Sequence, residues 1–208
     1  MKQLRGLILL LMFVSLVSIS TVLAQNFEIP ITVTDGSNTT TLYFGIVPGT
    51  DICILPTDGF NGHFEQNLPP PPPGGVFDAR FIAPVASRPA SCYDQGSPND
   101  FRPFSSSAQV DTFKVRQQLG GGTTMTFSWP AGLAAYFDVM TLRFFDGSGN
   151  VNVNMLTSTS QDVTLAGDGG PVTIFTAGPN PPPNPGPCFS ASPGSLTFPG
   201  PGDLAVTV

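Results

Sequence analysis

Charged side chains are scarce in this chain of 208 residues, where Asp, Glu, Lys and Arg together make up 11%. The 8 basic residues form no cluster, which argues against nucleic acid and anionic membranes as partners, because both bind grouped Lys and Arg. A single His and the lack of a Cys-x-x-Cys motif argue against a metal centre. We therefore expect no cofactor and no nucleic-acid partner.

Helical periodicity is also lacking, since no stretch carries a convincing 3.6-residue apolar period. The chain has instead 23 Gly, 23 Pro and many Thr, Val and Phe residues, a composition typical of strands joined by turns. Alternating segments predict strands at 27–34, 40–46, 76–82, 110–117, 124–129, 139–145, 151–155, 161–165 and 172–176. This pattern predicts an all-β fold, an antiparallel β-sandwich that is immunoglobulin-like or jelly-roll-like.

Residues 1–24 have the pattern of a secretory signal peptide. Lys2 and Arg5 precede a nearly unbroken apolar stretch at 7–17, and small residues lead to Ala24. The stretch is shorter than the roughly 20 residues that a membrane-spanning helix needs. We expect a secreted or cell-surface protein without membrane insertion of the mature chain, which keeps six basic and 14 acidic residues, a net charge of −8.

Three cysteines follow the leader. Cys53 and Cys92 lie in the same predicted domain, so a disulfide between them is expected in an oxidising compartment, with two unpaired thiols as the alternative. Cys188 is left over, which suggests a partner outside this chain.

The domain boundaries follow the composition. Residues 25–177 are predicted to form the β-sandwich module, and residues 178–187 a semi-rigid linker, since their prolines favour polyproline II. Residues 188–208 are expected to be the truncated start of a second, immunoglobulin-like β domain. Within the module, the prolines at 69–73 cannot join a central sheet. In the next strand Phe77 and Phe81 are expected to face the core, with Asp78 and Arg80 on the other face.

Several motifs of the first domain resemble a module of secreted, multidomain proteins of Bacteroidetes and related bacteria. The matching segments are Leu-Tyr-Phe-Gly at 42–45, Thr-Asp-Gly at 57–59, Leu-Pro-Pro at 68–70, Gly-Val-Phe-Asp-Ala-Arg-Phe at 75–81, Thr-Phe-Ser-Trp at 126–129 and Val-Asn-Met at 153–155. The resemblance implies export, often by type IX secretion, and a modular bacterial protein; it implies no catalysis. Cys53 and the loop at 51–56 depart from the pattern.

The tail has a resemblance of its own. Cys-Phe-Ser-Ala-Ser-Pro at 188–193, followed by Leu-Thr-Phe at 196–198 and Ala-Val-Thr-Val at 205–208, is similar to the first strands of a BACON-like domain. Such domains are often attached to carbohydrate-active enzymes, and the resemblance covers about twenty residues.

Candidate catalytic groups are few. Asp58 and Glu65 could form the carboxylate pair of a glycosidase, but they lie in a Gly- and Pro-rich loop without an aromatic platform. His63 could act as a general base, yet no nucleophile motif accompanies it. Trp129 and Tyr136 could form a sugar-stacking platform, although the alternation of Trp129 with Phe127 favours the core. We therefore predict no enzymatic activity.

Oxygen-bearing side chains at alternate positions suggest two Ca²⁺ alternatives. The first consists of Asp146, Ser148, Asn150 and Asn152, but the Gly that a calcium loop requires at its sixth position is replaced by Val151. A hairpin turn with outward Asn side chains explains this pattern better. The second consists of Asp51, Asp58 and Glu65, which lie around the proline run.

Two functions agree with these observations. The first is a non-catalytic structural or interaction module of a larger secreted or cell-surface protein. The alternative is a carbohydrate-binding accessory module of an extracellular hydrolase. The expected partners are therefore a polysaccharide or a cell-surface protein, bound by a monomer.

Overall fold

A computed structural model of the chain describes residues 26–83, 92, 95–122, 124–164 and 170–180. These residues form twelve strands and one short 3-10 helix, Leu133–Ala135. The strands are β1 Phe27–Thr34, β2 Thr39–Ile46, β3 Gly59–Phe60, β4 His63–Phe64, β5 Asp78–Ile82, β6 Asn99–Arg102, β7 Val110–Gln118, β8 Met125–Ser128, β9 Phe137–Phe145, β10 Asn150–Asn154, β11 Ser160–Val163 and β12 Val172–Pro179.

Ten of these strands form two five-stranded sheets that pack as a sandwich, which confirms the predicted all-β fold. The first sheet has the order β11-β8-β1-β2-β6, and the second has the order β10-β9-β12-β7-β5. Strands β3 and β4 form a separate small hairpin. Neighbouring strands are antiparallel, except that β6 runs parallel to β2.

The core lies between the two sheets and is built by alternation along each strand. Phe44 of the first sheet packs against Phe113 of the second, with ring centroids 4.8 Å apart, and against Phe81 at 6.1 Å. All three rings are fully buried. Burial of one such side chain stabilises the fold by roughly 1.5–3 kcal/mol, so this contact between the sheets is a principal determinant of the sandwich.

The strand after the proline run has the predicted register, but its outer face is covered. Phe81 is fully buried, and Phe77 packs against the core just before the strand begins. Arg80 points to the other face, yet it is 3% exposed. Its guanidinium donates hydrogen bonds to the carbonyl of Pro69 at 2.6 Å and to the carboxylate of Asp78. The proline run at 69–73 forms no strand, as predicted, but the strand that follows begins at Asp78 and not at Val76.

Two segments for which no strand is predicted contain strands. The sequence predicts no strand between residues 82 and 110, but Asn99–Arg102 forms β6 at the edge of the first sheet. All four of its residues are buried, so the strand shows no apolar and polar alternation. Residues 51–73 contain the β3–β4 hairpin, whose strands of two residues each are too short to show a period.

Parts of the predicted organisation lie outside the described residues. These are the leader at 1–24, most of the linker, Cys188 and the tail at 188–208. The last strand, β12, runs to Pro179 and therefore includes the first two residues of the predicted linker. In the described ranges, no helix has the length and apolar character needed to cross a membrane.

Candidate functional site

The outer face of the second sheet, which points away from the core, is the candidate functional site. Phe175 lies near its centre, because β12 is flanked by β9 and β7. In the strand register Phe175 is opposite Thr141 of β9 and opposite Thr112 of β7. Opposite residues of antiparallel strands have Cβ atoms roughly 4.5–5.5 Å apart, so two hydroxyl-bearing side chains flank the aromatic ring.

A second row of outward side chains lies beside the first. Arg143 of β9 is opposite Thr173 of β12 and Asn152 of β10. Successive outward residues of a strand are about 6.6–6.8 Å apart, which is the expected spacing between Thr141 and Arg143. With Val139, the two rows enclose an open groove of about 490 Å³. Binding sites for small molecules typically have about 300–1,000 Å³.

Exposed apolar side chains are concentrated on this face. The described residues include seven large hydrophobic side chains that are exposed, and four of them lie here: Val110, Val139, Phe145 and Phe175. Phe175 is 38% exposed even though it occupies a central strand. A group of exposed apolar residues with polar neighbours is typical of an interaction site.

Basic side chains are concentrated on the same face. Of the six basic residues after position 24, Arg80 and Arg102 are buried in ion pairs. Lys114, Arg116 and Arg143 all lie at outward positions of β7 and β9, and the sixth is outside the described residues. Among the described residues, the basic side chains that are not in buried ion pairs therefore lie on one surface of an acidic chain.

Sequence reasoning missed this face, although a signal was present. Residues 139–145 alternate cleanly, but the residues between the core positions are Val139, Thr141, Arg143 and Phe145. Two apolar side chains on the polar side of an alternating strand indicate a binding surface rather than a solvated one.

The predicted carboxylate pair lies elsewhere and is buried. Oε1 of Glu65 accepts a hydrogen bond from the backbone N–H of Phe101 at 2.7 Å, and Oε2 accepts one from Leu55 at 2.6 Å. Oδ2 of Asp58 accepts one from the backbone N–H of Asp51 at 2.8 Å. Glu65 therefore ties a loop to β6 at the edge of the first sheet, and Asp58 ties two parts of that loop together; both side chains are buried.

Burial has a strong effect on these acids. It raises the pKa of Glu65 to about 9, and the nearby carboxylate of Asp100 acts in the same direction. Burial also raises the pKa of Asp100 to about 6, although its ion pair with Arg102 at 2.7 Å opposes the change. Sequence reasoning missed the ion pair of Asp100 and Arg102 because it predicts no strand between residues 82 and 110.

His63 is held between a carboxylate and an aromatic ring. Its Nδ1 atom lies 3.0 Å from Oε2 of Glu28, and its ring stacks on Tyr43 with centroids 3.6 Å apart. The Asn61 amide donates to the other oxygen of Glu28 at 3.2 Å. Within the described ranges, the side-chain partner of His63 is thus Glu28 and not a Ser or Cys nucleophile.

The first Ca²⁺ alternative forms a turn and a strand. Oδ1 of Asp146 accepts hydrogen bonds from the backbone N–H groups of Ser148 and Gly149. Asn150 and Asn152 follow on β10 and are exposed. Alternate residues of a strand are about 6.6–6.8 Å apart, so these amides do not converge on one ion whose ligands lie at about 2.3–2.6 Å.

The second Ca²⁺ alternative does not form a cluster either. In the parts of the chain that the structure describes, no three His, Cys, Asp or Glu side chains are placed to hold a metal ion. Oδ1 of Asp51 accepts a hydrogen bond from the backbone N–H of Cys53 at 3.2 Å, and Asp58 and Glu65 accept the backbone hydrogen bonds given above.

The predicted aromatic platform is not assembled. Trp129 is 5% exposed, and its Nε1–H group donates to the carbonyls of Met155 and Ser158. Tyr136 packs against Phe27 with ring centroids 5.0 Å apart. The structure therefore places Trp129 in the core, the alternative that its alternation with Phe127 favoured.

Cys53 and Cys92 are joined by a disulfide, in agreement with the sequence prediction. Their Cα atoms are 5.4 Å apart, a separation typical of disulfides. The bond links the loop after β2 to the segment before β6.

Comparison with known proteins finds no matching family model, no matching curated protein and no matching solved structure.

Proposed function

We propose that this chain is a non-catalytic interaction module of an exported, multidomain protein. The observation that carries the proposal is the outer face of the second sheet, where an exposed Phe175 lies among hydroxyl, amide and guanidinium groups. Such a surface offers apolar contact and polar contacts together, and its central strands β9, β12 and β7 are each paired on both sides.

Export is supported by two features. The leader at 1–24 has the charge and apolar pattern of a signal peptide. The Cys53–Cys92 disulfide suits an oxidising compartment, because such bonds are rare in the reducing cytosol. The resemblance to modules of secreted Bacteroidetes proteins is part of the same proposal.

The positions of the two candidate acids, Asp58 and Glu65, support a non-catalytic role. A glycosidase needs two carboxyl groups on either side of the scissile bond. Asp58 and Glu65 are bonded to backbone N–H groups and buried. Neither contributes to the groove on the second sheet.

A carbohydrate-binding accessory module is the second candidate, and the composition of the groove favours it. A pyranose ring has an apolar C–H face that can lie on an aromatic ring, and hydroxyls around its rim. Phe175 supplies the ring, while Thr112, Thr141 and Asn152 supply hydrogen-bonding groups.

Carbohydrate binding by the chain of residues 25–208 can be tested by co-sedimentation with cellulose, chitin and xylan and on a glycan array. Catalysis can be tested by assay of released reducing sugar. We expect binding without release. Phe175→Ala should abolish the binding, whereas Phe64→Ala is the matched control, since Phe64 is a similarly exposed phenylalanine on the separate hairpin.

Two results would count against this proposal. Release of reducing sugar by the purified protein would contradict a non-catalytic role. Binding that is equally strong in the Phe175→Ala and Phe64→Ala variants would show that the ligand uses another surface.

A further inference from the structure

We propose that the outer face of the second sheet binds an anionic polysaccharide, one that carries carboxylate or sulfate groups. The inference rests on the carbohydrate-binding candidate described above and adds the chemical class of the ligand. It is carried by the distribution of charge on this face together with the pairing of its central strands.

The charge on this face is opposite to that of the chain. The mature sequence has a net charge of −8, yet Lys114, Arg116 and Arg143 share the outer face of β7 and β9. Among the described strands of this sheet, the acidic side chain at an outward position is Asp78, which is paired with the buried Arg80. The outward side chains of these strands therefore carry more positive than negative charge, which complements an anionic ligand.

Two further carboxylates lie at the ends of β9 and have hydrogen bonds of their own. Asp138 accepts one from the side chain of Asn180 at 2.6 Å. Asp146 is bound by Ser148 in the turn that leads to β10. Arg143, in the middle of the groove, has no carboxylate partner among the described residues, so its guanidinium is available to bind an anion in a bidentate manner.

The pairing of the strands argues against a peptide as the ligand. A peptide that adds to a sheet needs an edge strand with unpaired N–H and C=O groups. Strands β9, β12 and β7, which carry most of the groove, are each paired on both sides, and the edge strand β10 contributes Asn152 at one border. A ligand over the centre of the groove must therefore be recognised by side chains.

Those side chains suit an anionic sugar. The Phe175 ring can contact the C–H face of a pyranose, and Thr112 and Thr141 on either side can bind its hydroxyls. Arg143 lies one outward position along β9 from Thr141, so it can bind a carboxylate or sulfate on the same or the next sugar. Asn152, opposite Arg143, adds an amide.

The test is affinity electrophoresis of residues 25–208 in gels that contain one polysaccharide each. Polygalacturonate and its methyl ester share a backbone and differ in charge, and dextran sulfate and dextran form the corresponding sulfate pair. Polyglutamate supplies carboxylates without sugar rings. We expect retardation by polygalacturonate, by dextran sulfate, or by both, and much weaker retardation by the two neutral polymers and by polyglutamate.

Variants connect the binding to this face. Arg143→Gln should weaken binding to the anionic polymer about tenfold, because a charge-assisted hydrogen bond is lost. Thr32→Glu, on the outer face of the first sheet, changes the net charge by the same amount and should leave binding unchanged. Added salt should weaken the binding of the wild-type chain more than that of Arg143→Gln.

The outcomes separate this inference from the proposed function. Equal retardation by charged and neutral polymers, abolished by Phe175→Ala, would overturn the anionic ligand and leave a carbohydrate-binding module. Equal retardation by polyglutamate would overturn the polysaccharide, since charge alone would then suffice. Retardation by none of the polymers would overturn the inference, and an empty glycan array would in addition reject the carbohydrate-binding candidate.

Discussion

Oδ2 of Asp35, directly after β1, accepts a hydrogen bond from the backbone N–H of Gly120 at 2.7 Å, although the two residues are 85 positions apart. Gly121 and Gly122 donate to the same oxygen at 3.1 and 3.4 Å, while Oδ1 is bound by the β1–β2 turn. One carboxylate thus joins a turn of the first sheet to the loop that follows β7 of the second.

Replacement of Asp35 should change the response of the protein to acid. Burial raises the pKa of this carboxyl, but the backbone N–H donors of Asn38 and Gly120 outweigh it and hold the pKa well below its ordinary value. A carboxyl with a lowered pKa in the folded state contributes stability at neutral pH that is lost as the pH falls below about 4. We expect Asp35→Asn to lower the melting temperature at pH 7 and to flatten its decline between about pH 5 and 2.

The single tryptophan, Trp129, is buried in the core, so its fluorescence can follow this unfolding. Asp162→Asn is the control, because it removes an exposed carboxylate from β11. An acid response of Asp35→Asn equal to that of the wild type would contradict the role assigned to Asp35.

A side chain at Gly122 should be strongly destabilising. A Cβ atom there would overlap the backbone carbonyl oxygen of Asp35, and a backbone atom cannot rotate away as a flexible side chain can. We expect Gly122→Ala to lower the free energy of unfolding by about 1–3 kcal/mol, as forced overpacking typically does. Gly121→Ala is the matched control, since a Cβ atom there has open space. Urea denaturation of both variants checks the prediction, and equal midpoints would refute it.

Glu65, the buried acid beside β6 of the first sheet, should make stability depend on pH in the direction opposite to that of Asp35. The pKa of Glu65 is raised from 4.5 to about 9 in the folded state, so folding favours the protonated form. The contribution of Glu65 to stability is therefore greatest below about pH 4.5 and declines as the pH rises towards about 9. Asp100, with its pKa raised to about 6, has the same sign over a lower range.

Glu65→Gln removes this titration and should flatten the decline of the unfolding free energy between pH 6 and 9. The amide cannot accept from both Leu55 and Phe101, so an overall loss of about 1–3 kcal/mol is also expected. The test is urea denaturation at several pH values. The slope of the unfolding free energy against pH is more informative than its absolute value, because the absolute value also contains the lost hydrogen bond. An unchanged slope would show that Glu65 does not titrate in this range.

Reduction of the Cys53–Cys92 bond should lower stability. The bond closes a loop with a sequence separation of 39 residues, for which loop-closure entropy corresponds to about 4 kcal/mol. We expect a clear fall in melting temperature when the wild-type chain is treated with a reductant. A Cys53→Ser, Cys92→Ser double variant should melt at the temperature of the reduced wild-type chain, and the reductant should not change its melting temperature. A peptide map of unreduced protein should contain the linked pair.

Strands with a solvent face were predictable from the sequence, and strands without one were not. Segments 27–34 and 40–46 alternate because one side of each strand meets the core, and the structure has them as β1 and β2. Strand β6 has Asn99, Asp100, Phe101 and Arg102 all buried, so its pattern carries no period of two. Its polar residues are buried because partners distant in sequence satisfy them, and no local rule reveals those partners.

The candidate site was hidden for a related reason. The alternation of β9 shows which of its two faces meets the core. It does not show that the outer residues of β7, β9 and β12 are neighbours, because that depends on the strand order. That order brings Thr112, Phe175 and Thr141 together from positions far apart in the chain. The buried positions of Asp58 and Glu65 likewise depend on contacts that local spacing does not contain.

The Glu65 carboxylate also has a consequence for self-association. Strand β6 is the last strand of the first sheet, and an open edge of this kind can recruit a strand from another molecule and start aggregation. Glu65 binds the outward N–H group of Phe101, and the Asn99 side chain donates to the carbonyl of Phe64. The segment 58–66, which contains the β3–β4 hairpin, thus lies where a sixth strand would pair and protects this border of the sandwich from edge-to-edge pairing.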